Sequence, residues 1–225
     1  MPRPPRRWPR TATRCARCGA RCLADAWAPR RAAGRDWLLL LGLLVKLSLL
    51  AWLLPAAALD WQPGLIAHQP WRLLSAAFVH WTPTHLAANL AGCAVLAVLG
   101  WRAGLGRREA LAGLIALPLT QLGLALRPEL AHYGGLSGEL HALVVIAGLS
   151  LLLRRGRERA VGAAVLAGLA IKLVLEQPLG PVLRATPGFD FPVAPLAHLS
   201  GALAGLLAAG LTMRGHRFPG SPHGT

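Results

Sequence analysis

Residues 194–213 read APLAHLSGALAGLLAAGLTM, and the only ionisable side chain among them is His198. A helix needs about 20 apolar residues to cross the hydrocarbon of a bilayer, and this stretch supplies them. A histidine inside such a segment is expensive and needs a reason. Gly201 and Gly205 follow it by three and seven residues, on about the same stripe of a helix. A Gly-x-x-x-Gly stripe lets a second backbone come close within a membrane. A partner helix then approaches near enough for a short serine hydroxyl to reach the imidazole.

Five more segments have the same character, at roughly 37–58, 77–100, 108–126, 137–153 and 160–177. The 225-residue chain is 54% hydrophobic and only 15% charged, where soluble domains carry about 25% charged residues. The expected architecture is an all-α membrane protein. A basic tail (1–36) precedes a six-helix membrane domain (37–213), and a short tail (214–225) follows it. The first apolar run is too long, and the arginines before it too many, for a cleaved signal peptide. Ala56-Ala57-Ala58 nonetheless has the small residues of a cleavage site.

A net charge of +15 would suit nucleic acid, but its placement argues against that partner. Arginines crowd the stretch before the first span, from Arg3 to Arg35. They return between spans two and three (Arg102, Arg107, Arg108), between four and five (Arg154, Arg155, Arg157, Arg159) and after six (Arg214, Arg217). The alternate loops hold Arg72, Arg127 and Arg184 alone. Such alternation is the mark of membrane topology and predicts that both termini are cytoplasmic. A missed or extra helix would break it.

The polar residues of the spans share a depth. Span two carries His80, His85 and Asn89, span four Ser137, Glu139 and His141, and span six His198 and Ser200. In this topology all three spans run from outside to inside, and at 1.5 Å per residue these groups lie within roughly 15 Å of the outer surface. His85 and Asn89 are four apart, as are Ser137 and His141, so each pair shares a helix face. Gly134, Gly135 and Gly138 suit an irregular approach to Ser137. Taken singly, Ser137 is more plausibly bonded to its own helix, and the histidines and Asn89 are as well explained as interhelical glue. Their matching depth and phase make coincidence the poorer account. Glu139 has no firm explanation at this level; it either faces a wet cavity or perturbs a neighbour's titration.

These motifs resemble those of the rhomboid intramembrane serine proteases. Trp71-Arg72 resembles the Trp-Arg pair of that family's first outer loop. His80 followed by His85-Leu86-Ala87-Ala88-Asn89 resembles its second-helix motif, and Gly135-Leu136-Ser137-Gly138 its nucleophile motif. Ala197-His198-Leu199-Ser200-Gly201 with Gly205 resembles the motif around its base. The resemblance runs from about Trp71 to Leu211 in the family's order. His141 stands where many members have tyrosine, which is similar to the rhombosortase subfamily, although Ala142 departs from the glycine often found next.

The resemblance implies an intramembrane serine endopeptidase with Ser137 as nucleophile and His198 as base. No Asp or Glu has an evident orienting role, so it implies a dyad. It also implies oxyanion donors at His85, Asn89 and the Ser137 backbone N–H, with Gly135 supporting the loop. His141 is expected to support the His198 ring. No cofactor is implied. The partners are the bilayer and membrane-anchored protein substrates, those of rhombosortases being thought to bear a C-terminal Gly-Gly sorting helix. The location implied is the bacterial inner membrane, with the site open to the periplasm. Pro178 to Pro195, with Phe189 and Phe191, is either a lid or an ordinary connection. Lys172 and Glu176, four apart, read as a structural ion pair.

Two other functions compete: a general rhomboid protease of broader specificity, and a catalytically silent binder of membrane helices. The presence of both Ser137 and His198 weighs against the second. A transporter would show paired broken helices and halved symmetry, which are not evident. Cys93 reads as a small packing residue. Cys15, Cys18 and Cys22 have spacing compatible with part of a zinc site. Only Asp25 offers itself as a fourth ligand, so no metal is expected there.

Overall fold

The computed structural model describes residues 34–185, 188 and 190–213. The cysteines Cys15, Cys18 and Cys22, Asp25, Phe189 and the tail from 214 lie outside the described residues. Six long helices carry the apolar runs: α1 (Arg35–Ala51), α2 (Pro83–Ala103), α3 (Arg107–Leu122), α4 (Ser137–Leu152), α5 (Arg157–Glu176) and α6 (Pro195–Thr212). Among the described residues there is no strand, only two isolated antiparallel bridges, Trp61 with Tyr133 and Arg184 with Val193. By length and composition, three segments are long and apolar enough to cross a membrane: α2, α6, and α3 with its extension to Leu126.

Prolines move two of the expected boundaries. The second apolar segment begins at 77, but α2 begins at Pro83. Proline at a first helical position loses no bond, because that N–H has no partner in the helix, while the residue before it is driven to extended backbone. Thr82 is extended accordingly, and its hydroxyl accepts from the His85 backbone N–H at 3.1 Å. His80 therefore lies outside α2, in the connection that approaches it. Likewise α1 ends at Ala51 rather than near 58, and Pro55 precedes a separate turn, Ala56–Leu59.

Helices α4 and α6 meet along glycine. A Cβ on Gly201 would lie 1.9 Å from the Gly138 carbonyl oxygen, and one on Gly205 would lie 2.5 Å from that of Ala142. The Gly-x-x-x-Gly stripe thus does what its spacing predicts. Ser200 turns to α3, where its hydroxyl donates to the Thr120 carbonyl at 2.7 Å. Trp37 ties α1 to α2 by donating from Nε1 to the Leu96 carbonyl at 2.9 Å, and Cys93 is buried in the same apolar core. Large apolar side chains such as Leu39, Val95, Val98, Val174 and Leu207 are exposed on the outward faces.

One end of the bundle is closed by the segment from Ala56 to Val79. Its hub is Asp60, fully buried. Arg72, 3% exposed, donates to the Asp60 carboxylate at 3.0 Å and to its backbone carbonyl at 2.6 Å. Gln62 donates to the same carboxylate oxygen at 2.7 Å, and His132 Nδ1 lies 2.7 Å from the other. Arg72 is therefore a structural side chain here rather than a free loop charge.

Candidate functional site

Ser137 is the first residue of α4 and lies at the same end of the bundle as the first turns of α2 and α6. The chain reaches it through Gly134 and Gly135. Gly135 has φ 140, and a Cβ there would lie 2.8 Å from His85 Nε2, so both conformation and space demand glycine. Its N–H donates to the Ala76 carbonyl at 3.0 Å, and Tyr133 donates its hydroxyl to the Gly135 carbonyl at 3.0 Å. Burial pushes the Tyr133 phenol up to about 12, so it stays a donor.

Ser137 Oγ and His198 Nε2 are 3.0 Å apart, across the glycine contact of α4 with α6. Tight backbone packing is what lets so short a side chain reach the ring. On the other side of that ring, Glu176 Oε2 lies 2.7 Å from His198 Nδ1. A carboxylate only accepts, so Nδ1 carries the proton and Nε2 offers its lone pair to the serine hydroxyl. Glu176 also bonds Lys172 through Oε1. The expected Lys172–Glu176 pair is present, but the expectation that no acidic side chain attends His198 is corrected: a carboxylate on α5 reaches its ring. Lys172 Nζ is 3.5 Å from Nδ1. With the Nδ1 proton directed at Glu176, that approach is proximity between two donors and no hydrogen bond.

His141 lies flat against His198, with ring centroids 4.0 Å apart and planes within 11°. Its Nδ1 donates to the Ser137 carbonyl at 2.6 Å. His85 and Asn89 are buried at 5% and 4% exposure and line the cavity beside Ser137. Among the described residues, neither His85 Nδ1 nor Asn89 Nδ2 has a hydrogen-bond partner. As the opening residue of a helix, Ser137 has a backbone N–H without an intrahelical acceptor, at the positive end of the helix dipole.

The cavity is about 820 Å³, lined by Ser137, His198, His141, His85 and Asn89 with Trp81, Leu140 and Val193, a size usual for ligand sites. Phe191, from the connection before α6, stacks on His85 at 4.1 Å and 17°, and Thr82 donates to Asp190 at 2.9 Å. His80 packs edge-on to His85 at 4.8 Å, behind it rather than in the cavity lining. Glu139 is not in that lining either. It is 1% exposed, its carboxyl oxygens have no partner among the described residues, and one of them faces Gly113 of α3. Of the two readings left open for Glu139, its burial and its place outside that lining speak against the wet cavity.

His141, Glu176 and His198 form a group close enough to hold a metal, with ligand atoms within 4.8 Å. The geometry does not fit one. Stacked imidazoles direct their in-plane lone pairs side by side, whereas zinc needs them to converge tetrahedrally. Both nitrogens of His198 and Nδ1 of His141 already have partners.

A family model described as the Rhomboid domain matches residues 67–215, which takes in every residue of this constellation. No curated protein matches the chain.

Proposed function

The chain belongs to the Rhomboid family of multi-pass membrane proteins, and from that membership we propose that it is an intramembrane serine endopeptidase working through Ser137 and His198. The observation that carries the reading is the 3.0 Å separation of Ser137 Oγ and His198 Nε2. A serine hydroxyl is a weak nucleophile until a base takes its proton. His198 Nε2 removes that proton as Oγ attacks a peptide carbonyl of a substrate helix. Asn89, His85 and the Ser137 N–H stabilise the oxyanion. His198 then passes the proton to the leaving amine, and water entering the cavity hydrolyses the acyl-enzyme. His141 braces the His198 ring by stacking. Phe191, stacked on His85, serves as a lid over it.

The substrate reading is finer. His141 in the Gly-Leu-Ser-Gly-Glu-Leu-His stretch supports a rhombosortase that processes C-terminal Gly-Gly sorting signals. The topology proposed is six crossings with both termini cytoplasmic, in a bacterial inner membrane, and with the site open to the periplasm. Proteomic mapping of substrate termini tests both levels. A new terminus beside a membrane helix, present with the wild type and absent with Ser137→Ala, is expected. Its absence in both defeats the protease reading. Equal cleavage of substrates with and without a Gly-Gly tail defeats the narrower specificity and leaves a general rhomboid protease.

A further inference from the structure

We propose that Glu176 is a positioning residue for the base, and that Lys172 sets which face of Glu176 the base meets. The inference rests on the assignment of Ser137 and His198 above and deepens it. Glu176 is the last residue of α5, where the helix dipole disfavours an anion. Its side chain is 23% exposed, and the imidazole it meets is 6% exposed. A carboxylate held at the wrong end of an apolar helix needs a compensating contact, and it has two. Oε1 takes the Lys172 ammonium one turn back, and Oε2 takes His198 Nδ1–H at 2.7 Å.

The second contact selects the tautomer. With Nδ1–H bound to Glu176, the lone pair at Nε2 faces Ser137 and can accept its proton. The carboxylate also stabilises the imidazolium that then forms, as the acid of a serine-protease triad does. The first contact orients the carboxyl. An ammonium can only donate, so whatever lies at Oε1 must accept.

Glu176→Gln turns this asymmetry into a test. Lys172 claims the amide oxygen, which leaves the amide NH₂ to donate to His198 Nδ1. The imidazole proton then moves to Nε2, facing the serine, and the base is lost. Turnover of a membrane-helix substrate by the full-length protein in proteoliposomes should fall by about 10³–10⁴-fold, with KM little changed. Adding Lys172→Met frees the amide to present its oxygen to Nδ1–H. The double variant should recover at least about tenfold over Glu176→Gln alone, which also shows that the fold is intact. A role limited to structure predicts no such rescue, since the double variant lacks one more contact. Glu176→Gln turning over within about threefold of wild type would overturn the role of Glu176. A double variant no faster than the single one would overturn the role of Lys172. Should the wild type show no Ser137-dependent cleavage, it is the protease reading that fails, an outcome distinct from either.

Discussion

Asn89 Nδ2 is a buried donor with no acceptor among the described residues, set in the wall of a cavity beside a serine. Leaving such a group unpaired costs about 1–3 kcal/mol, and a developing oxyanion would satisfy it during the reaction. Removing one donor of this kind typically raises the barrier by about 2.7–4 kcal/mol. Asn89→Ala should therefore lower kcat by about a hundredfold or more, measured on a helical substrate; an unchanged rate would exclude the role. Glu139 presents the opposite case, buried without partners and away from the cavity. Glu139→Met removes an unsatisfied group of similar volume, so thermal unfolding in detergent should shift upward. A lower midpoint would mean that the carboxyl has a partner. His141→Ala should lower turnover while Ser137 stays reactive to a fluorophosphonate. Residue types and their phase make Ser137, His198, His85 and Asn89 legible in the sequence. Glu176 is legible only as half of a local pair, because its contact with His198 spans 22 positions. The connection between them has no period from which its path can be read.

At the scale of elements, the site depends on how closely α4 and α6 pack. Gly201→Ala places a methyl 1.9 Å from the Gly138 oxygen, so the helices must separate. Overpacking of this sort costs about 1–3 kcal/mol, and it also draws Ser137 from His198. Both the unfolding midpoint and the rate of fluorophosphonate labelling should drop, whereas loss of stability alone would show that the Ser137–His198 contact tolerates the shift. The glycine stripe is legible because helical phase is a local property. The start of α2 is misread from hydropathy alone, since residues 77–82 are apolar enough to extend the span. Pro83 with the Thr82 cap holds the signal that corrects it. Asp60 escapes a sequence reading altogether, because only the folded chain brings Arg72 to it. Arg72→Ala would take the guanidinium from that buried carboxylate and leave it only Gln62 and His132, at a cost of about 1.5–3 kcal/mol. A marked fall in midpoint is expected, and an unchanged one would contradict the hub role.

For the whole molecule, exposed leucines and valines on the outward helix faces and a largely apolar pocket that gathers Ser137 and the buried histidines suit a protein solvated by lipid. Charge alternation between the loops is what supports the proposed six-crossing topology. Reporter fusions at both termini test it, with cytoplasmic signals expected from each. The central claim is that Ser137 is a nucleophile activated by His198. Fluorophosphonate labelling of the full-length protein in membranes, with the adduct mapped by mass spectrometry, tests it most directly. The account predicts an adduct on Ser137 in the wild type, none in Ser137→Ala, and strongly slowed labelling in His198→Ala. Labelling that proceeds at the wild-type rate without either side chain would contradict it.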